Sequence, residues 1–135
     1  MLYSTCLLAN KQNDDTTYVF NEKYEGIIWG KNYPLNIKDD KSFRWNPIKE
    51  DIDKAELLIH LYVLKQWENN KNVNQTCNCP IIYLNMNQYL CQYIGRINKK
   101  GERILEINCF WKGNVEKFTN WHTHLVSVID GCTFY

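Results

Sequence analysis

An apolar stripe in the middle of the chain constrains the fold more than any other feature. Ile48, Ile52, Ala55, Ile59, Tyr62, Val63 and Trp67 recur at three- and four-residue steps, which a helix gathers onto one face about five turns long. The start signals agree with this period. Asn46 can accept hydrogen bonds from first-turn amides, Pro47 suits the first helical position, and Glu50, Asp51 and Asp53 put negative charge at the positive end of the helix dipole. The spacing predicts a helix from residue 47 to about 69, ended by Asn69-Asn70 and a polar run that Pro80 closes. Such a stripe needs a cover.

The residues after the helix supply one. The segments 88–98 and 102–112 read as two strands turning at Lys99-Lys100-Gly101, with Gly101 in the left-handed position of a three-residue loop. Asn98 then faces Glu102, and opposed residue numbers sum to two hundred. In that register Tyr89, Cys91, Tyr93, Gly95 and Ile97 share a face with Trp111, Cys109, Ile107, Leu105 and Arg103. The other face carries Leu90, Gln92, Ile94 and Arg96 with Phe110, Asn108, Glu106 and Ile104. The first face is nearly all apolar and is expected to receive the helix, while the second is mixed, a pattern compatible with water.

Flanking segments are less regular. Residues 10–17 are polar and read as a tether, and residues 18–29 carry aromatic and β-branched residues around Gly26, consistent with one or two short strands or an irregular covering segment. Residues 30–46 read as a loop anchored by Tyr33, Leu35, Ile37, Phe43 and Trp45. Residues 120–130 read as a further strand, with His122 and His124 on one side, and Asp130-Gly131 as a turn into a final strand that stops short. The expectation is a single α+β domain over 18–135, one long helix packed on a curved antiparallel sheet, with its last hairpin incomplete.

Helix followed by antiparallel meander is the order of cystatin-like folds. At the level of motifs, Trp45-Asn46-Pro47 with Asp51-Ile52 and Ala55-Glu56, then Gln92-Tyr93-Ile94-Gly95, Lys100-Gly101-Glu102 and Ile107-Asn108-Cys109-Phe110, resembles a family of small uncharacterised bacterial proteins, often lipoproteins. The resemblance spans roughly residues 43–135 and implies the cystatin-like arrangement, but it brings no functional residues. True cystatins block cysteine proteases with a Gln-Val-Gly type loop. Lys99-Lys100-Gly101 stands at the corresponding turn here, which argues against that activity.

Composition bounds the function classes. At 135 residues, 44% hydrophobic and 14% aromatic, the chain has the material for one packed core and is expected to fold without a cofactor. The formal charge is +1 and thirteen of the sixteen basic residues are Lys, which disfavours nucleic acid, whose bidentate recognition leans on Arg. No segment approaches the length of a membrane span. Leu2-Tyr3-Ser4-Thr5-Cys6 resembles the end of a lipoprotein signal, so a lipid anchor at Cys6 and an envelope location are one expectation, and an incidental thiol in a frayed start is the other. Without a preceding signal the expected location is cytoplasmic.

Several residues could carry chemistry. Cys77-Asn78-Cys79 lacks the second pair that a zinc knuckle needs. Cys91 and Cys109 are directly opposed, so two buried thiols, the favoured reading, or a cross-strand disulfide fit the pair. His122 and His124 on one strand face would stand about 7 Å apart, a spacing that permits joint metal ligation, although two ligands are not a site. Trp111, Trp121, Phe110 and Phe118 surround the loop at 112–120 and form either a binding patch or the lid of the core, so Trp111, Phe118 and Trp121, with His122 and His124, are the candidate binding residues. The acidic residues at the helix start are explained by capping and solvation. The reading favoured is a non-enzymatic binding domain of inhibitor or immunity type with a protein partner. The alternative is a small metal-dependent enzyme using His122 and His124.

Overall fold

The computed structural model describes residues 15–35, 41–69 and 83–126. Among them the chain forms strands β1 (Thr16–Phe20), β2 (Glu25–Trp29) and β3 (Arg44–Trp45), helix α1 (Lys49–Glu68), and strands β4 (Tyr89–Ile97) and β5 (Arg103–Trp111), with short 3-10 turns at Lys41–Phe43, Tyr83–Gln88 and Lys112–Phe118. The arrangement is α+β, with one long helix on a curled, mostly antiparallel sheet. β4 is its centre. β5 runs along one edge of β4, while β2 and β3 share the other edge, and β1 pairs outside β2. One pairing, β2 with β4, is parallel.

The β4–β5 ladder has the predicted register throughout, from Tyr89 opposite Trp111 to Ile97 opposite Arg103. Local chemistry fixes it. Asn98 Oδ1 accepts from the Lys100 and Glu102 amides, each at 2.9 Å, and Gly101 turns the chain at φ 79°. Cys91 and Cys109 face each other with α-carbons 4.2 Å apart, the close spacing of a non-hydrogen-bonded pair, and are joined as a disulfide.

On the helix side of the sheet, Tyr89, Cys91 and Tyr93 pack with Cys109, Val19, Tyr24, Ile28 and Ile52 of α1, so the apolar face does receive the helix. Of the rest of the helical stripe, Val63 is buried and Ala55 and Ile59 are half-buried, whereas Ile48 and Tyr62 point to solvent. The Trp67 side chain lies outside the described residues. The helix begins later than its spacing predicts. Asp51 reaches back to the Ile48 amide at 2.9 Å, half of a capping box, while Asn46 Oδ1 instead accepts from the Lys31 amide at 2.7 Å.

The second sheet face is covered over its Leu90–Ile94 half, while Ile104 and Glu106 toward the turn meet water. Leu90, Ile94 and Phe110 form a core with Ile27, Trp29, Leu35, Trp121 and Val126. Residues 120–126, predicted as a strand, fold as turns and irregular chain and close this face. They can do so without strand pairing because Gln92 and Asn108 satisfy their backbone. The tether expectation is also corrected at its end, since Thr16 and Thr17 open β1. Loop 30–35 is held by the buried Arg44, whose guanidinium donates to the carbonyls of Tyr33 at 2.7 Å and Gly30 at 2.9 Å, and by Tyr33 stacked on Trp29. Cys6, Ile37, Cys77, Cys79 and residues 127–135 lie outside the described residues.

Candidate functional site

A concavity lies where α1, the turn between β1 and β2, and the 3-10 turn before β4 meet. It encloses about 440 Å³ and is lined by Asn21, Lys23, Tyr24, Asp53, Glu56, Leu57, His60 and Met86, with Glu22 at its rim. Each wall has a local cause. Asn21 Oδ1 accepts from the Lys23 and Tyr24 amides at 2.8 and 2.9 Å, an Asx turn that aims Tyr24 at the helix. On α1, Asp53, Glu56 and His60 stand at i, i+3 and i+7, one line along the flank beside the buried stripe.

Two tyrosines bind this line to the sheet. The Tyr24 hydroxyl donates to Asp53, and the buried Tyr93 hydroxyl donates to Glu56 Oε1 at 2.6 Å. The two rings meet edge to face with centroids 6.4 Å apart. Lys49 Nζ adds an ion pair to Asp53 at 2.9 Å. Burial and then the Asp53 carboxylate push the Tyr24 phenol up to about 12. Burial, followed by the negative charge of Glu56, drives Tyr93 well above the ordinary phenol range. Both remain donors at neutral pH. Hydrogen bonds from Tyr24 and Lys49 hold Asp53 below the usual carboxylate range. Glu56 moves the other way, because burial raises its pKa more than the Tyr93 hydroxyl lowers it.

The sign of the Glu56 shift gives a testable pH dependence. A carboxyl whose folded pKa exceeds its unfolded one favours the folded state fully below the unfolded value, and that contribution is lost as pH rises through the folded value. Glu56→Gln keeps an acceptor for Tyr93 and removes the charge. It is expected to raise the melting temperature near pH 7 and to leave it nearly unchanged at about pH 3, below the ordinary carboxyl pKa. Thermal denaturation at the two pH values reads this, and a lower melting temperature near pH 7 contradicts it.

The residues singled out from sequence lie elsewhere. Phe118, Trp121 and His124 converge on a second hollow of about 330 Å³ that also includes Leu125 and Val126. Trp111 and His122 do not line it. Trp121 is buried against Phe110, and Phe118 packs on the same ring, so both are first of all the lid of the second core. Trp111 packs edge to face on Tyr89 against the helix-side core. His122 and His124 are exposed in a turn rather than aligned on a strand. The His122 ring lies against Trp121, and His124 Nδ1 is 2.8 Å from Thr123 Oγ1. Among the described residues no three His, Cys, Asp or Glu side chains gather as a metal site.

Sequence reasoning missed Tyr24, Asp53, Glu56 and Tyr93 as a group. The available signal was the i, i+3, i+7 line of Asp53, Glu56 and His60, which capping did not need. No helix among the described residues is long and apolar enough to cross a membrane. Comparison of the chain with protein-family models, with curated proteins and with solved structures finds no match.

Proposed function

We propose that the chain is a non-enzymatic binding domain, of inhibitor or immunity type, that takes a basic side chain of a protein partner into the cleft beside α1. The observation carrying this reading is the pair of helix carboxylates, Asp53 and Glu56, fixed by Tyr24 and Tyr93 at the wall of a preformed cavity. Groups already locked in place lose little entropy on binding. Among the lining side chains Glu22, Asp53 and Glu56 outnumber Lys23, with Lys49 paired to Asp53 beside them, while Leu57 and Met86 offer apolar contact. That mixture suits a Lys or Arg, whose aliphatic stem packs on apolar atoms while its cationic head meets carboxylates.

The test is partner capture by the intact chain, compared with the Asp53→Asn/Glu56→Gln double variant and with Phe118→Ala. The partner is expected to be retained by the wild type and by Phe118→Ala, and to bind the double variant at least about tenfold more weakly, as the loss of desolvated charge pairs implies. Capture that survives the double variant but is lost with Phe118→Ala would move the surface to the second hollow. The metal-dependent alternative at His122 and His124 has less support, because both residues are exposed in a turn and any third His, Cys, Asp or Glu ligand would have to come from outside the described residues.

A further inference from the structure

The outward side of α1 is apolar, and of its large side chains only Leu57 also borders the cleft. Leu57, Leu58, Leu61 and Tyr62 are 57%, 67%, 52% and 59% exposed, four large side chains on two adjacent turns. Contiguous exposed patches of this kind mark contact surfaces. The charges around them say what fits. Lys54, Leu61 and Glu68 are spaced by seven, so they lie on one line along the helix to within about 20° per repeat. A cation stands one repeat below Leu61 and an anion one repeat above, each about 10 Å away. Leu57, Leu58, Leu64 and Lys65 flank this line, as the alternate layer of a helix pair would.

We infer that this face binds a second copy of the chain, with the two α1 helices antiparallel about a two-fold axis through Leu61. In that pairing residue i stands level with residue 122 minus i of the other copy. Leu61 meets Leu61, Leu58 meets Leu64, the stem of Lys65 covers Leu57, and Lys54 faces Glu68 twice. The alternatives are penalised. A parallel pair sets Lys54 against Lys54 and Glu68 against Glu68, and an antiparallel pair centred between Leu58 and Leu61 sets Lys54 against Lys65. Charge therefore fits the helix to a second copy of itself and selects the orientation and the register of that pair. The flank carrying Asp53, Glu56 and His60 lies to one side of the Leu61 line, and Leu57 alone belongs to both faces, so the dimer does not depend on the cleft's proposed ligand.

Sedimentation velocity over a concentration series tests it with the full chain. The wild type is expected to pass from monomer to dimer as concentration rises, and Leu61→Glu to weaken the dimer at least about tenfold. Because Leu61 is exposed, that variant should keep the wild-type circular dichroism spectrum. Lys54→Glu and Glu68→Lys alone are each expected to weaken the dimer about threefold, and the two together in one chain to restore it, since opposite charges then face each other again. A wild-type chain that stays monomeric across the series overturns the proposal, as does a dimer indifferent to the charge variants.

Discussion

Gln92→Leu is expected to destabilise the protein by about 3–5 kcal/mol, among the largest effects a single substitution in this chain can have. Gln92 is 0% exposed and uses every hydrogen-bonding position of its amide. Its Nε2 donates to the carbonyls of Trp121 at 2.7 Å and His124 at 2.8 Å, and its Oε1 accepts from Asn108 Nδ2 at 2.8 Å and from the Val126 amide at 3.1 Å. Leucine fits the volume and gains from burial by about 1–2 kcal/mol, but it leaves three backbone groups and one side-chain N–H without that partner. Each orphan costs about 1–3 kcal/mol if it stays buried, so the loss outweighs the gain. The segment can lower this cost only by lifting into water, which uncovers Trp121 and Val126 and breaks the Trp29 Nε1 bond to the His122 carbonyl at 3.0 Å. Urea denaturation followed by tryptophan fluorescence should show a lower midpoint and a red-shifted native spectrum. A loss below about 1 kcal/mol would mean that Gln92 is not what fastens this segment.

The same residue explains why part of the fold was legible and part was not. The β4–β5 register follows from contacts within a few residues, Asn98 with Lys100 and Glu102 around Gly101, and local chemistry of that kind can be read along the chain. Gln92 and Asn108 also alternate with Leu90, Ile94 and Phe110, so the pattern suggests a face open to water. In the structure they are polar because their cover is irregular backbone, which needs side-chain partners that a pairing strand would have supplied itself. A polar residue inside an alternating strand thus has two meanings, and only the distant segment decides between them. The parallel β2–β4 pairing was hidden for the same reason, since no turn joins the two strands. The helix stripe gave the existence of α1 and its burial through Ile52 and Val63. It did not explain Leu57, Leu58 and Leu61, and a stripe sufficient to make a helix gave no reason to ask what the other leucines do. The cleft joins Tyr24 to Asp53 and Tyr93 to Glu56 across 29 and 37 residues, beyond the reach of any local pattern.

Gly26→Ala separates two effects of opposite sign. In a strand with room to spare, replacing glycine by alanine stabilises by about 0.5–1 kcal/mol, because the unfolded chain loses freedom. Gly26 has no such room. It sits opposite Cys91 in the parallel pair, and an added Cβ would overlap the Cys91 carbonyl oxygen and come within 2.7 Å of Tyr93 Cε2. The first obstacle is backbone and the second is a ring held on both sides by packing, so neither can rotate away. β2 must move off β4, and overpacking of this kind costs about 1–3 kcal/mol or more, which exceeds the entropic gain. The expected net result is a loss of about 2–3 kcal/mol. Gly101→Ala is the comparison, since at φ 79° with no atom within 4 Å it carries only the left-handed penalty of about 1 kcal/mol. Urea midpoints should therefore fall further for Gly26→Ala than for Gly101→Ala, and the reverse order would show that β2 gives way without strain. The displacement also has a functional direction. Tyr93 presses on Gly26 with one edge of its ring and holds Glu56 with its hydroxyl, so a side chain at position 26 pushes the cleft's buried donor away from its carboxylate. Partner capture by Gly26→Ala should then weaken even under conditions where the variant is fully folded, whereas Gly101→Ala, at the far turn, should bind as the wild type does.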